Sequence, residues 1–198
     1  MLWSRKACIA CAVALAALPA GGARALTPTT VATYSPFAPT VRTAPGYTVV
    51  PLAGATCATA SFVVAASGAF RCSVRDRIHD PCYLDPTAGA PPAPVVDCAA
   101  SPWTARIVRL HLSATPVPAL AAPPDLAPWA LQLASGRRCV RTTGATTTVR
   151  GRRLSYVCDG HRVLFGRPQA ATPTWRIRQA RDTGGHAARD VAIAIAWR

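Results

Sequence analysis

The chain has 198 residues, with 22 lysines and arginines against 8 acidic residues, for a net charge of +14. This length predicts one domain, and the positive charge favours anionic over cationic partners without identifying any of them. No glutamate occurs, so a hydrolase with paired carboxylates would have to use thinly spread aspartates. The ordinary alternative is that arginine is simply the surface cation of a sequence rich in alanine, arginine and proline.

Residues 1–25 have the features of a secretory signal peptide. Arg5 and Lys6 precede an apolar core at residues 7–18, and residues 23–25 supply a small-x-small cleavage site. The core is shorter than the roughly 20 residues of a membrane-spanning helix. Cys8 and Cys11 lie too early for lipidation. We therefore expect a secreted, extracytoplasmic protein without a transmembrane anchor in its mature form.

Six cysteines follow the signal peptide, and an even number in an exported chain indicates disulfides. Six cysteines allow 15 connectivities. Their order favours three sequential pairs: Cys57 with Cys72, Cys82 with Cys98, and Cys139 with Cys158. Each would close a loop of about 15–20 residues, worth on the order of 3 kcal/mol. Zinc sites need closer ligand pairs such as C-x2-C, so we expect neither a metal nor another cofactor.

Residues 26–51 are rich in proline and threonine and have no strand or helix period. This composition predicts a flexible leader before a single disulfide-stapled domain at residues 52–198. An ordered first strand at residues 47–50 is the alternative.

Strand patterns follow one another in the predicted domain. In the first half they fall at residues 58–65, 70–74, 95–98 and 106–113, where Val108, Leu110 and Leu112 alternate with polar residues. We expect Asp80-Pro81 to form a tight turn that positions Cys82.

The second half has strand patterns at closer intervals, from Trp129 to Trp197. Residues 128–160 read as a hairpin unit with one cysteine on each side. The strand at residues 190–197 is small or apolar on both faces, which suits a central position. The fold prediction is all-β: an antiparallel sandwich or a small barrel-like meander, stapled by disulfides.

Residues 79–83, His-Asp-Pro-Cys-Tyr, are the nearest approach to a catalytic motif. They resemble the HDxCY core of secreted phospholipase A2 enzymes, in which the histidine activates water and the aspartate helps to hold calcium. However, Pro81 would break the helix that carries that motif, and no glycine-rich calcium loop precedes it. We assign no catalytic residue, and we keep a secreted hydrolase that uses His79 and Asp80 as an alternative.

Arginine is concentrated near the C-terminus: residues 137–198 contain thirteen arginines and three aspartates. The strand pattern predicts an anion-binding surface made of Arg150, Arg152, Arg153, Arg176 and Arg178, since guanidinium groups bind phosphate or sulfate through two hydrogen bonds. The tryptophans lie on apolar faces, not where bases could stack, so we expect no sequence-specific nucleic acid partner.

Residues 57–197 carry an ordered set of cysteines, glycines and aromatic residues. The set comprises Phe70-Arg71-Cys72, Ile78, Asp80-Pro81-Cys82-Tyr83, Val96, Cys98, Pro102-Trp103, Pro128-Trp129-Ala130-Leu131, Gly136, Cys139, Thr143-Gly144-Ala145-Thr146, Gly151, Tyr156, Cys158, Trp175 and Ala196-Trp197. It resembles an uncharacterised secreted domain of actinomycetes, in which an aromatic residue stands where His79 stands here. The resemblance implies export, disulfides and one β-rich domain, and it implies no activity.

The leading functional hypothesis is an exported, non-enzymatic binding or cell-envelope-associated module. Its basic C-terminal third would suit an anionic cell-envelope polymer. A protein-partner module, such as an inhibitor or a sensor, is the remaining alternative to the hydrolase.

Overall fold

The computed structural model describes residues 27–37, 46–84, 94–114, 125–143, 148–149, 151–181 and 188–198. These residues form strands and no helix. The strands are β1 (Thr30–Ala32), β2 (Thr48–Ala60), β3 (Ala69–Val74), β4 (Arg77–Leu84), β5 (Val95–Ala99), β6 (Arg106–Leu112), β7 (Ala130–Leu133), β8 (Arg138–Arg141), β9 (Thr148–Val149), β10 (Arg152–Cys158), β11 (Arg162–Gln169), β12 (Arg176–Arg181) and β13 (Arg189–Trp197). The all-β prediction is confirmed, with closed barrels as its architecture.

The first barrel consists of β2 to β6 in sequence order. Successive strands are antiparallel, and β2 closes the barrel by pairing in parallel with β6. Alternate side chains of each strand point inward, as the strand period requires. Phe70, Val96 and Leu110 therefore meet in the interior together with two disulfides.

The second barrel consists of β7, β8 and β10 to β13, and it closes because β13 pairs with β7 as well as β12. Leu131, Tyr156, Leu164, Ile177 and Ile193 fill its interior. Strand β1 adds to β13 in parallel, and β9 pairs with β10. Strand β13, whose residues were expected to be central because they are small or apolar on both faces, has three strand neighbours: β1, β7 and β12.

Three disulfides join neighbouring strands, and their pairing is the sequential one. They are Cys57–Cys72, Cys82–Cys98 and Cys139–Cys158, with Cα atoms 4.1, 4.0 and 3.9 Å apart. The last two pairs are directly opposite each other in the strand registers. Three buried disulfides indicate an oxidising, extracytoplasmic environment.

An aromatic cluster joins the two barrels. Trp129, which is 1% exposed, lies at the start of the second barrel. Its ring centroid is 5.3 Å from that of Tyr34, which in turn lies 6.0 Å from that of Tyr83 in the first barrel. Trp103 contacts Trp197 edge to face at 4.7 Å. The barrels therefore share an apolar core of their own.

A buried ion pair lies on the outer face of the first barrel. Asp97 of β5 is fully buried, and its two carboxylate oxygens accept hydrogen bonds from Nε and Nη2 of Arg109, each at 2.8 Å. The two residues are directly opposite each other on β5 and β6. This bidentate geometry satisfies a carboxylate that would otherwise be costly to bury.

The predicted leader differs from the structure over residues 27–37 and 46–51. Residues 30–32 form β1, Tyr34 is buried between the barrels, and β2 begins at Thr48. The structure agrees with the alternative prediction, an ordered strand at residues 47–50, because β2 includes residues 48–50. The leader prediction fails there because these strands gain their partners from β6 and β13, far along the chain.

The predicted turn at Asp80-Pro81 is wrong, since both residues lie inside β4. Phe70 pairs with Cys82 and Cys72 pairs with His79, so Asp80 and Pro81 together face one residue of β3. This is a β-bulge. Proline has no N–H group to donate to a regular strand ladder, but it is tolerated at a bulge because the extra residue there is unpaired. The turn instead falls at Arg75-Asp76, which have φ angles of 46° and 60°.

The predicted strand at residues 58–65 ends earlier, at Ala60. Ser61 stops it, because its hydroxyl oxygen accepts hydrogen bonds from the backbone N–H groups of Val63 and Val64, at 3.2 and 3.0 Å. Such local side-chain bonds compete with strand pairing.

Across the described ranges, no helix has the length and hydrophobicity needed to span a bilayer.

Candidate ligand-binding cleft

A cleft of about 430 Å³ lies between the two barrels. The starts of β4 and β6 and the end of β8 supply its three arginines, Arg77, Arg106 and Arg141. Its apolar wall includes Ile78, Val108 and Val140, and its other polar groups are His79, Asp80, Thr104 and Thr143. The volume is within the range of about 300–1,000 Å³ that is typical of ligand sites.

Local structure fixes each cleft arginine at the end of a strand. Arg77 follows the two-residue turn Arg75-Asp76, whose positive φ angles suit a tight hairpin. The backbone N–H of Arg106 donates to the hydroxyl of Thr104 at 3.1 Å. Arg141 donates from Nη1 to the carbonyl of Ala127 at 3.3 Å. The cleft therefore depends on both barrels.

Positive charge exceeds negative charge along the cleft. Arg71, Arg109 and Arg167 form ion pairs, whereas no described carboxylate pairs with Arg77 or Arg106. Among the described residues, Asp80 is the one carboxylate that lines the cleft. An anion that entered would meet the guanidinium groups of Arg77 and Arg106, which no described carboxylate pairs with, and Arg141, whose charge already acts on Asp80.

The Asp80 carboxylate is bound to the chain between β2 and β3. Its oxygens accept hydrogen bonds from the Ser61 hydroxyl at 2.5 Å and the Phe62 backbone N–H at 3.0 Å. Nη1 of Arg71 is 3.9 Å away, and the Asp80 side chain has no exposed surface. Burial raises the pKa of Asp80, although both hydrogen bonds oppose that rise. These contacts give Asp80 a structural role, in which its carboxylate anchors the bulge of β4 to the segment between β2 and β3.

His79 is partly buried, and its Nε2 atom has no hydrogen-bond partner. Burial and, to a smaller extent, the charge of Arg77 lower its pKa, so the ring is neutral at neutral pH. The Ser61 hydroxyl is 1% exposed and is bonded to Asp80. His79 and Asp80 line one cleft, in which the Asp80 carboxylate is already bonded to Ser61 and Phe62.

The predicted anion surface does not lie in the cleft. Arg150 is outside the described residues. Arg152 and Arg153 are exposed on β10, and the Arg152 guanidinium lies over the Phe165 ring at 5.7 Å. That contact gives Arg152 a packing role, in which its charge also interacts with the ring.

The other two predicted residues, Arg176 and Arg178, are exposed on β12. Arg178 pairs with Phe165 of β11 and with Asp190 of β13 in the register, so an acidic residue stands opposite it. Both arginines lie on the outer face of the second barrel, away from the residues that line the cleft.

The cleft arginines were not predicted as a site. Arg77, Arg106 and Arg141 are far apart in the sequence, and only strand pairing and barrel packing bring them together. The sequence feature that could have indicated them is their position, since each of these arginines lies at the beginning or the end of a strand. The neighbouring Arg138 instead lies over the Trp103 ring at 5.5 Å and supports the contact between barrels.

Neither the family models nor the curated proteins nor the solved structures contain a match to this chain. Within the residues described, no three histidine, cysteine or aspartate side chains form a metal-binding group.

Proposed function

We propose that the chain is an exported, non-enzymatic binding module, and that the cleft between the barrels holds an anionic group of its ligand. The observation that carries the proposal is that Arg77, Arg106 and Arg141 from two barrels line one cleft. The disulfides and the signal-like residues 1–25 support secretion.

The chemistry of the cleft favours an oxyanion. A guanidinium group donates two parallel hydrogen bonds to a carboxylate or a phosphate, and such charge-assisted bonds are about twice as strong as neutral ones. A cleft with walls of low polarity also focuses the field of its charges. We expect an anionic component of the cell envelope as the partner, so ionic strength should weaken binding.

A matched pair of double variants tests the site. The probe is a short poly(glycerol phosphate) chain, and its affinity is measured by isothermal titration calorimetry at low salt. We expect Arg77→Gln/Arg106→Gln to lower the affinity roughly tenfold or more, since each change removes hydrogen bonds to a charged group. Arg176→Gln/Arg178→Gln removes the same net charge from the outer face, and we expect an effect of about twofold or less.

Equal losses in the two double variants would show that overall charge, not the cleft, attracts the polymer. No binding by the wild-type protein, or binding unchanged in about 0.5 M salt, would also reject the proposal.

A further inference from the structure

The cleft has an apolar side that the arginines do not explain. Val108 and Val140 lie on its wall, and Ile78 lies on its rim with 49% of its surface exposed. Val157 of β10 is 51% exposed and stands directly opposite Val140 of β8. Directly paired residues share one face of a sheet, so the apolar surface continues from the cleft onto β10.

This strip differs from scattered exposed side chains. Among the described residues, five large apolar side chains are exposed: Ile78 is one and lines the cleft, and Val157 is another and stands opposite Val140, which also lines it. Single exposed apolar residues need no explanation. A strip that continues an apolar cleft wall is the kind of surface that binds the apolar part of a ligand.

The charged side of the cleft has its own geometry. The three guanidinium groups come from three different strands, β4, β6 and β8, and from two barrels. A carboxylate presents its acceptors in one plane, whereas the terminal oxygens of a phosphate point in several directions. The three arginines of the cleft exceed its one described carboxylate by two charges, which matches the charge of about −1.5 to −2 that a phosphate monoester carries at pH 7.

We infer that the ligand is a phosphate monoester with an apolar chain, whose phosphate contacts Arg77, Arg106 and Arg141 while its chain lies along Val108, Val140 and the exposed strip. This inference rests on the proposed function and narrows its ligand class. A phosphorylated lipid and a soluble alkyl phosphate share this chemistry.

Calorimetry with a series of probes tests the inference: inorganic phosphate, ethyl phosphate, hexyl phosphate and the cation hexyltrimethylammonium. We expect hexyl phosphate to bind more tightly than ethyl phosphate by on the order of tenfold to a hundredfold, because each methylene that leaves water adds affinity. The cation should not bind, since it carries the same chain with the opposite charge.

Exposed-site variants separate the strip from general hydrophobicity. Ile78→Thr and Val157→Thr should lower the ratio of hexyl to ethyl phosphate affinity. Val31→Thr is the matched control, because Val31 is also 49% exposed but lies on β1 and does not line the cleft. We expect that control to keep the wild-type ratio.

A ratio near one in the wild-type protein would overturn the inference, and so would an equal loss in the Val31→Thr control. If inorganic phosphate still binds in a manner that requires Arg77 and Arg106, the proposed function stands while the inference fails. If none of these phosphate probes binds but poly(glycerol phosphate) does, the inference fails and the proposed function stands; if that polymer does not bind either, both fail.

Sedimentation with phosphatidylcholine vesicles, with and without phosphatidic acid, identifies the source of the ligand. Binding only to the vesicles that contain phosphatidic acid supports a lipid source. Binding of hexyl phosphate without binding to either vesicle supports a soluble phosphate ester.

Discussion

The first barrel has two of the three disulfides, and its residues 46–114 include five arginines. The second barrel has one disulfide, and residues 125–198 include thirteen arginines. Yet the first barrel supplies two of the three arginines of the cleft, Arg77 and Arg106. Arginines of the second barrel such as Arg152, Arg176 and Arg178 lie on its exposed outer face.

Under the proposed function, this difference means that charge density along the sequence does not indicate where the anion binds. Exposed arginines on an outer face are solvated and screened, whatever their number. At the junction of the barrels, Arg77 and Arg106 are exposed as well, but together with Arg141 they line one concave surface. The proposal therefore depends on where the arginines lie and not on how many there are.

We expect the largest effect on stability from a substitution at the contact between the barrels. Trp129→Ala removes a buried indole at the junction, and we expect it to lower the free energy of unfolding by about 3–5 kcal/mol. Trp175→Ala is the control within the second barrel, where the side chain is only partly buried, and a smaller loss is expected. Urea unfolding followed by circular dichroism measures both variants.

The shape of the unfolding curve adds a second readout. Because the aromatic cluster couples the barrels, we expect the wild-type protein to unfold in one transition and Trp129→Ala to unfold in two, one for each barrel. An equal loss in the two tryptophan variants, with single transitions in both, would contradict a special role for the junction.

A smaller effect is expected from His79, which lies on the first-barrel side of the cleft. Its lowered pKa means that, between that value and its ordinary value of 6.5, the unfolded chain binds a proton more readily than the native protein. The stability contributed by neutral His79 is therefore present above pH 6.5 and is lost as the pH falls through the lowered pKa. His79→Gln should remove this part of the acid sensitivity.

Urea midpoints of the wild type and His79→Gln, compared from about pH 7.5 to pH 5, measure that contribution. The wild type should lose more stability than the variant over this range. Parallel pH profiles would show that the histidine is as easily protonated in the native protein as in the unfolded chain.

Much of the fold could be predicted from the sequence, because its signals are local. The alternation of Val108, Leu110 and Leu112 predicts β6, and it is confirmed nearly to the residue. The sequential disulfide pairing also follows from local structure, since each bond joins strands close in the chain.

The features that could not be predicted depend on strand pairing and its register. Strand β1 forms because it pairs with β13, at the other end of the chain. The bulge at Asp80-Pro81 lies within the β3–β4 hairpin, but it follows from the register of these two strands and not from the residue pattern of either one. The cleft depends on both barrels, and no pattern within a short segment shows that Arg77 and Arg141 line the same cavity.

Arginine modification tests the location of the anion site most directly. The native protein is treated with phenylglyoxal, with and without hexyl phosphate, and the modified arginines are identified by mass spectrometry. We predict that the ligand protects Arg77, Arg106 and Arg141, while Arg176 and Arg178 react equally in both samples. Protection of Arg176 and Arg178 with no protection of Arg77 and Arg106 would contradict the assignment of the cleft.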